Sequence, residues 1–340
     1  MSALDTLKKD IDSGSFGRMY LLYGEETYLR EYYKKQILSQ FENDGFSEFN
    51  VMICDGERTD FDSISDFFEA VPMFSRRKLL VINDLDLMKL TGEYKEKFPD
   101  LLKDIPEYLT VLFTFSSVDF KPDKRLSMWK FIDKAGVVCN VEKASKTDLT
   151  AWIKRRFKAL GKIIRTENAD YLMFLCGDLM TNLVTEIEKI SSGTQNEEIT
   201  RRHIDTLASP TLEAQVFEIG DRVSKKDFKS ALELLGRLFM LKYDPVAINA
   251  VLAKQMGRMY IAKTAMAAGK GESYIASACG YKSNYPASLL CASARKCSLG
   301  WIIRANRLCY QTDLDLKSNI PDNERKLYLL ISELSSEESL

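Results

Sequence analysis

Five short apolar runs punctuate the first 141 residues: RMYLLYG (18–24), EFNVMIC (48–54), RKLLVIND (77–84), LTVLFTFSS (109–117) and GVVCNV (136–141). Between them lie segments of helical pattern at 25–40, 61–70, 92–104 and 124–134. Strands alternating with helices predict a parallel sheet with helices on both faces. The runs are continuously apolar rather than alternating, as strands buried on both sides are.

Beyond about residue 145 the strand pattern stops. SKTDLTAWIKRRFKALG predicts a helix with Ser145 or Thr147 as its cap and a stop at Gly161. In GDLMTNLVTEIEKI, Asp178 is the expected N-cap, and Leu179, Leu183, Ile187 and Ile190 form one stripe. ASPTLEAQ (208–215) breaks the pattern, and helices resume from 213 to 336. In the long segment AINAVLAKQMGRMYIAKTAMAAG, Ile248, Val251, Leu252, Met259, Ala262 and Met266 share a face, which reads as core. The expected division is an α/β domain at 1–143, a small helical domain at 144–209 and a larger helical domain at 210–340.

Composition narrows the function classes. Of 340 residues, 45% are hydrophobic and 29% charged, a globular balance. No apolar run approaches the ~20 residues a membrane span needs, and MSALDTLKKDIDSGS lacks an apolar export core. The expected location is the cytoplasm, with no membrane partner. The seven cysteines, Cys54, Cys139, Cys176, Cys279, Cys291, Cys297 and Cys309, form no CxxC pair, and His203 is the only histidine. That spacing speaks against a zinc site and for buried small apolar side chains. Net charge is −1 but uneven. Residues 1–141 carry nineteen Lys/Arg against twenty-five Asp/Glu, whereas 241–311 carry ten against Asp244 and Glu272 alone. Arg295, Lys296, Arg304 and Arg307 in the basic stretch are candidates for contact with DNA or with another subunit. A solvated helical surface would carry the same charges.

The first strand and the turn after it, YLLYGEETYLRE, have the layout of a nucleotide site without its chemistry. A phosphate loop needs GxxxxGK[ST] for backbone N–H groups, a positive charge and a Mg²⁺-binding hydroxyl. Here one glycine, Gly24, precedes Glu25 and Glu26, which would repel phosphate and serve better as partners of a helix N-terminus. The third strand run, LLVINDLD, resembles a Walker B element with Asp84 at the metal-holding position. Leu85 stands where a hydrolase would place its glutamate. No GxSxG, HExxH or GxGxxG occurs. These absences imply no catalytic residues, no metal and no cofactor.

FFEAVPMFSRRKLLV (67–81) raises a different possibility. Pro72 should end the helix before it, leaving Met73 and Phe74 on a short connection ahead of Arg76, Arg77 and Lys78. Two readings are open. Both side chains fold back into the core, or they form an exposed apolar plug for a partner's pocket.

The chain resembles the delta subunit family of the bacterial DNA polymerase III clamp loader over nearly its whole length. The resemblance rests on YLLYGEETYLREYYKKQI, VPMFSRRKLLVIND, KRLSMWKFIDKAG, LTAWIKRRFKALGKII, CGDLMTNLVTEIEKI, VFEIGDRVSKKDFKSALELLGRLF and TDLDLKSN, in that order. It implies an AAA+-like α/β domain with a parallel sheet and no working nucleotide site, then a small helical lid and an all-α collar. It implies a protein with no intrinsic activity that binds and opens the beta sliding clamp for loading onto primed DNA, as part of a nucleotidyltransferase holoenzyme. Its partners would be the clamp, the delta-prime and tau/gamma loader subunits and, within the assembly, primer-template DNA. The family's pair of clamp-gripping apolar side chains falls on Met73 and Phe74, with Met where many relatives have Leu. The alternatives are a delta-prime-like structural subunit, whose usual cysteine-rich zinc module the spacing here lacks, and a nucleotide-hydrolysing AAA+ enzyme.

Overall fold

The computed structural model describes residues 2–42, 46–116, 118, 120–281, 283–318 and 322–335, which divide into two compact units at Ala144/Ser145. The first contains α1 (Ala3–Ser13), β1 (Met19–Tyr23), α2 (Thr27–Glu42), α3 (Ser47–Asn50), β2 (Val51–Asp55), α4 (Phe61–Glu69), β3 (Lys78–Asn83), α5 (Gly92–Lys103), β4 (Leu109–Thr114), α6 (Ser127–Ala135) and β5 (Val137–Asn140). All strand pairs are parallel, in the order β2-β3-β4-β1-β5.

Alternate residues of the central strands feed two cores. Met19, Leu21, Leu80, Ile82, Val111 and Phe113 pack against α4, α5 and α6 through Ile64, Phe68, Phe98 and Trp129. Tyr20, Leu22, Leu79, Val81 and Leu112 pack on the opposite face against Leu7, Ile11, Ile37 and Phe41 of α1 and α2. Burial of both faces is why these strands read as unbroken apolar runs.

One local expectation fails, and one helix went unpredicted. Residues 47–50 form a helical turn, and the edge strand starts at Val51 rather than residue 48. The N-terminal segment, read only for its lack of an export core, is a capped helix. The Ser2 hydroxyl accepts from the Asp5 N–H, the Asp5 carboxylate accepts from the Ser2 N–H, and Gly14 ends the helix in the left-handed region at φ 67°.

The second unit is mainly helical: α7 (Lys146–Ala159), α8 (Thr166–Cys176), α9 (Met180–Ser192), α10 (Arg201–Leu207), α11 (Leu212–Ser224), α12 (Phe228–Met240), α13 (Pro245–Ala267), α14 (Glu272–Ala278), α15 (Asn284–Lys296), α16 (Leu299–Leu316) and α17 (Asn323–Ser335). Ser145 caps α7 by accepting from the Asp148 N–H, and Gly161 follows its end at φ 71°. A two-residue parallel pair, β6 (Ile163–Ile164) with β7 (Glu198–Ile199), interrupts the helices and is too short to leave a sequence pattern. The helix expected from Asp178 begins at Met180; Leu179 occupies the cap position and is exposed, while Leu183, Ile187 and Ile190 are buried. Ile248, Leu252, Met259 and Ala262 of α13 lie in the large apolar core, with Val251 and Met266 partly buried against it.

The GDL…ExxK stretch has a structural role. Glu186 pairs with Lys189 at 2.7 Å, the Ser209 N–H donates to Glu186, and Lys189 donates to the Ser209 hydroxyl. The pair thereby pins the break between α10 and α11. None of the described helices is long and apolar enough to cross a membrane.

Candidate functional site

The connection between α4 and β3 holds Met73 and Phe74. α4 stops at Glu69, ahead of Pro72, as the proline demands. Neither side chain enters the core: Met73 is 47% exposed and Phe74 79%. The chain around them is fastened. Lys78, 1% exposed, donates from Nζ to the Phe67 and Ala70 carbonyls at 2.6 and 2.9 Å and sits 3.7 Å from the Phe67 ring centroid. It thus satisfies carbonyls at the end of α4, and burial pushes its pKa down. Arg77 donates to the Gly14 carbonyl and, at 3.0 Å, to the Gln40 carbonyl, with its guanidinium 4.6 Å from the Phe41 ring centroid. Two of the three basic residues after the apolar pair therefore brace the loop, and Arg76 is exposed.

Asn50, at the end of α3 and 3% exposed, fixes the loop's middle. Its Oδ1 accepts from the Met73 N–H at 2.9 Å, and its Nδ2 donates to the Met73 carbonyl at 2.7 Å and to the Phe46 carbonyl at 3.0 Å. Phe74 has φ 53°, a left-handed conformation that a bulky residue seldom adopts. Its ring lies against Phe46 with centroids 4.9 Å apart. Phe46, Phe49 and Val71 are also exposed. Sequence reasoning missed Asn50 and Phe46; their link to the loop spans more than twenty residues and leaves no periodic signal.

The corner after β1 is occupied by the protein's own side chains. Gly24 has φ 116°, and a Cβ there would sit 2.4 Å from the Val141 carbonyl oxygen. Glu26 is buried, its N–H donating to that same carbonyl. Arg30 is buried and donates to the Phe115 carbonyl and to the Thr27 hydroxyl, and burial lowers its pKa. Asp84, at φ 56°, accepts from the Ser116 N–H (2.8 Å), the Ser116 hydroxyl (2.9 Å) and the Val118 N–H (3.1 Å). Its carboxylate organises the segment after β4, and Leu85 is buried beside it.

All seven cysteines are buried free thiols. Among the described residues no group of three or more His, Cys, Asp and Glu is arranged to hold a metal. In the second unit, Arg295 and Lys296 close α15, where positive charge suits the helix end. Arg304 and Arg307 lie on α16. Arg295, Lys296 and Arg307 are exposed, whereas Arg304 is half-buried and donates to the Glu333 carbonyl of α17 at 2.9 Å. Arg307 falls within an exposed stripe of α16 formed by Leu299, Ile303, Tyr310 and Leu314.

Two family models match the chain: DNA polymerase III, delta subunit, over residues 20–142, and DNA polymerase III delta subunit, C-terminal domain, over residues 213–334. DNA polymerase III subunit delta of Bacillus subtilis (strain 168) is 24% identical over 276 residues, 79% of this chain and 79% of the relative. A probable DNA polymerase III subunit delta of Aquifex aeolicus (strain VF5) is 22% identical over 275 residues, 79% of this chain and 77% of the relative. In fold, the chain is similar to the solved Bacillus subtilis DNA clamp loader delta protein, with a TM-score of 0.59, 20% identity, and coverage of 98% of this chain and 99% of that one. With the two family models matched in order along it, the chain belongs to the DNA polymerase III delta subunit family, an accessory subunit rather than the catalytic one.

Proposed function

We propose that this chain binds the beta sliding clamp through Met73 and Phe74 and opens it for loading onto primed DNA. The observation that carries this is a pair of large apolar side chains held out from a loop whose flanks are hydrogen-bonded in place. An exposed apolar pair on a rigid support is the form of an interface anchor, which fills a pocket at little ordering cost. The clamp ring opens because the chain binds the open joint more tightly than the closed one; affinity equal for both would shift nothing. Residues 144–209 act as a lid and 210–340 as a collar that joins delta-prime and tau/gamma subunits around primer-template DNA. ATP is bound and hydrolysed by those partners and not by this chain, a reading supported by the occupied corner around Gly24, Glu26 and Asp84.

The test is titration of the isolated chain against purified beta clamp carrying a fluorophore pair across one subunit joint. Saturable binding with separation of the pair is expected. Binding without separation would leave a docking subunit and remove the opening role, and no binding would remove both.

A further inference from the structure

Three observations converge on Asn50. It is almost fully buried, its side-chain amide engages both the N–H and the carbonyl of Met73, and the same amide donates to the carbonyl of Phe46, whose ring supports Phe74. Beside these bonds, Phe74 is held at a positive φ that an unsupported loop would abandon, because left-handed backbone is unfavourable for a residue with a Cβ. Only a surrounding structure that over-determines the loop keeps such a conformation populated.

We propose that Asn50 is a positioning residue that presets the Met73–Phe74 pair in its docking conformation, with Phe46 as a lateral wall of the same contact surface. This rests on the reading of the pair as the clamp anchor. Asn50 does not touch the partner; it sets the fraction of chains whose loop is ready to dock. Apparent affinity scales with that fraction, and so does the association rate, whereas the dissociation rate belongs to the contacts made once docked. Asn50 and Phe74 are therefore separable: removing the Asn50 amide slows association, and removing the Phe74 ring speeds dissociation.

The experiment measures association and dissociation of the full chain with beta clamp for Asn50→Ala, Asn50→Asp and Phe74→Ala, and amide hydrogen exchange at Met73 without the clamp. Asn50→Asp keeps the volume and the acceptor for the Met73 N–H but loses both donated bonds, and it supplies the test if Asn50→Ala does not fold. With two bonds to Met73 removed, association in Asn50→Ala should slow roughly tenfold. Dissociation should stay within about twofold of the wild type, and Met73 exchange should accelerate. Phe74→Ala should instead raise the dissociation rate and leave Met73 exchange unchanged. A folded Asn50 variant with wild-type association and wild-type Met73 exchange overturns the proposal. If the wild-type chain itself fails to bind clamp, it is the clamp-binding reading that fails. Met73 exchange in the Asn50 variants then decides whether Asn50 presets the loop.

Discussion

Asp84 directly follows a strand of the kind that carries a metal-holding acid, yet its carboxylate is spent on the backbone and hydroxyl of Ser116 and the backbone of Val118. Gly24 shows the same conversion. A phosphate loop uses glycines to bring N–H groups to a ligand, whereas this one lets the chain pass within van der Waals contact of Val141. The isolated chain should show no heat of binding with ATP and Mg²⁺ in calorimetry. Saturable micromolar binding would contradict this. The missing lysine, hydroxyl and glutamate were legible in the sequence because they are named residues at fixed spacing. The alternative employment of Asp84 was not, since it depends on a partner thirty-two residues away. The same holds for Asn50 and Met73, twenty-three residues apart. A residue's type and neighbours are local facts, but its hydrogen-bond partner is decided by topology.

At the scale of elements, the five strands and four of the helices of the first unit were readable: burial on two faces writes an apolar run in β1, β3 and β4, the edge strands β2 and β5 keep apolar runs although half-exposed, and burial on one face writes a 3.6-residue period in helices. α1 escaped notice although Ser2, Asp5 and Gly14 form a complete set of end signals. Its apolar face is present but short, Leu4, Leu7 and Ile11 at i, i+3 and i+7 in an otherwise polar segment. β6 and β7 are two residues each, below any period. The basic group on α15 and α16 also divides at this scale. Replacing Arg295, Lys296, Arg304 and Arg307 by Ala should weaken primer-template binding by the assembled loader and flatten its salt dependence, by about 0.9 in slope for each phosphate that is no longer neutralised. Arg304→Ala alone should also lower the melting temperature, because it frees a half-buried tie to the Glu333 carbonyl. Unchanged DNA binding and salt slope in the fourfold variant would assign these charges to solvent or to a subunit interface. Arg307, set in the apolar stripe of α16, is the residue best placed for the latter.

For the whole molecule, seven buried thiols weaken the fold on its alkaline side, as do buried tyrosines such as Tyr20 and Tyr171, whose pKa burial also raises. Burial pushes Cys54 and Cys297 up to about 11, and Cys139, Cys176 and Cys309 to about 12, from an ordinary value of 9.0. The unfolded chain gives up these protons near pH 9 while the folded chain keeps them. The resulting stabilisation is whole below pH 9 and is lost as pH rises toward 12. Lys78 opposes this, since its lowered pKa is a penalty relieved as pH rises, but it is one group against several. Melting temperature should therefore fall steadily from pH 9 upward; a flat profile to pH 11 would show that the thiols are reached by water. The central claim is that Met73 and Phe74 serve a partner and not the core. The measurement that tests it most directly is clamp affinity and melting temperature on one protein, Met73→Ala with Phe74→Ala. Burying each side chain in a pocket is worth roughly 1.5–3 kcal/mol. At about 1.4 kcal/mol per factor of ten, the double change should weaken binding on the order of 10³-fold. Melting temperature should hold or rise slightly, because these exposed side chains add little to the fold. A large drop in melting temperature, with clamp affinity kept by the folded fraction, would instead mark a cavity opened in the core and contradict the account.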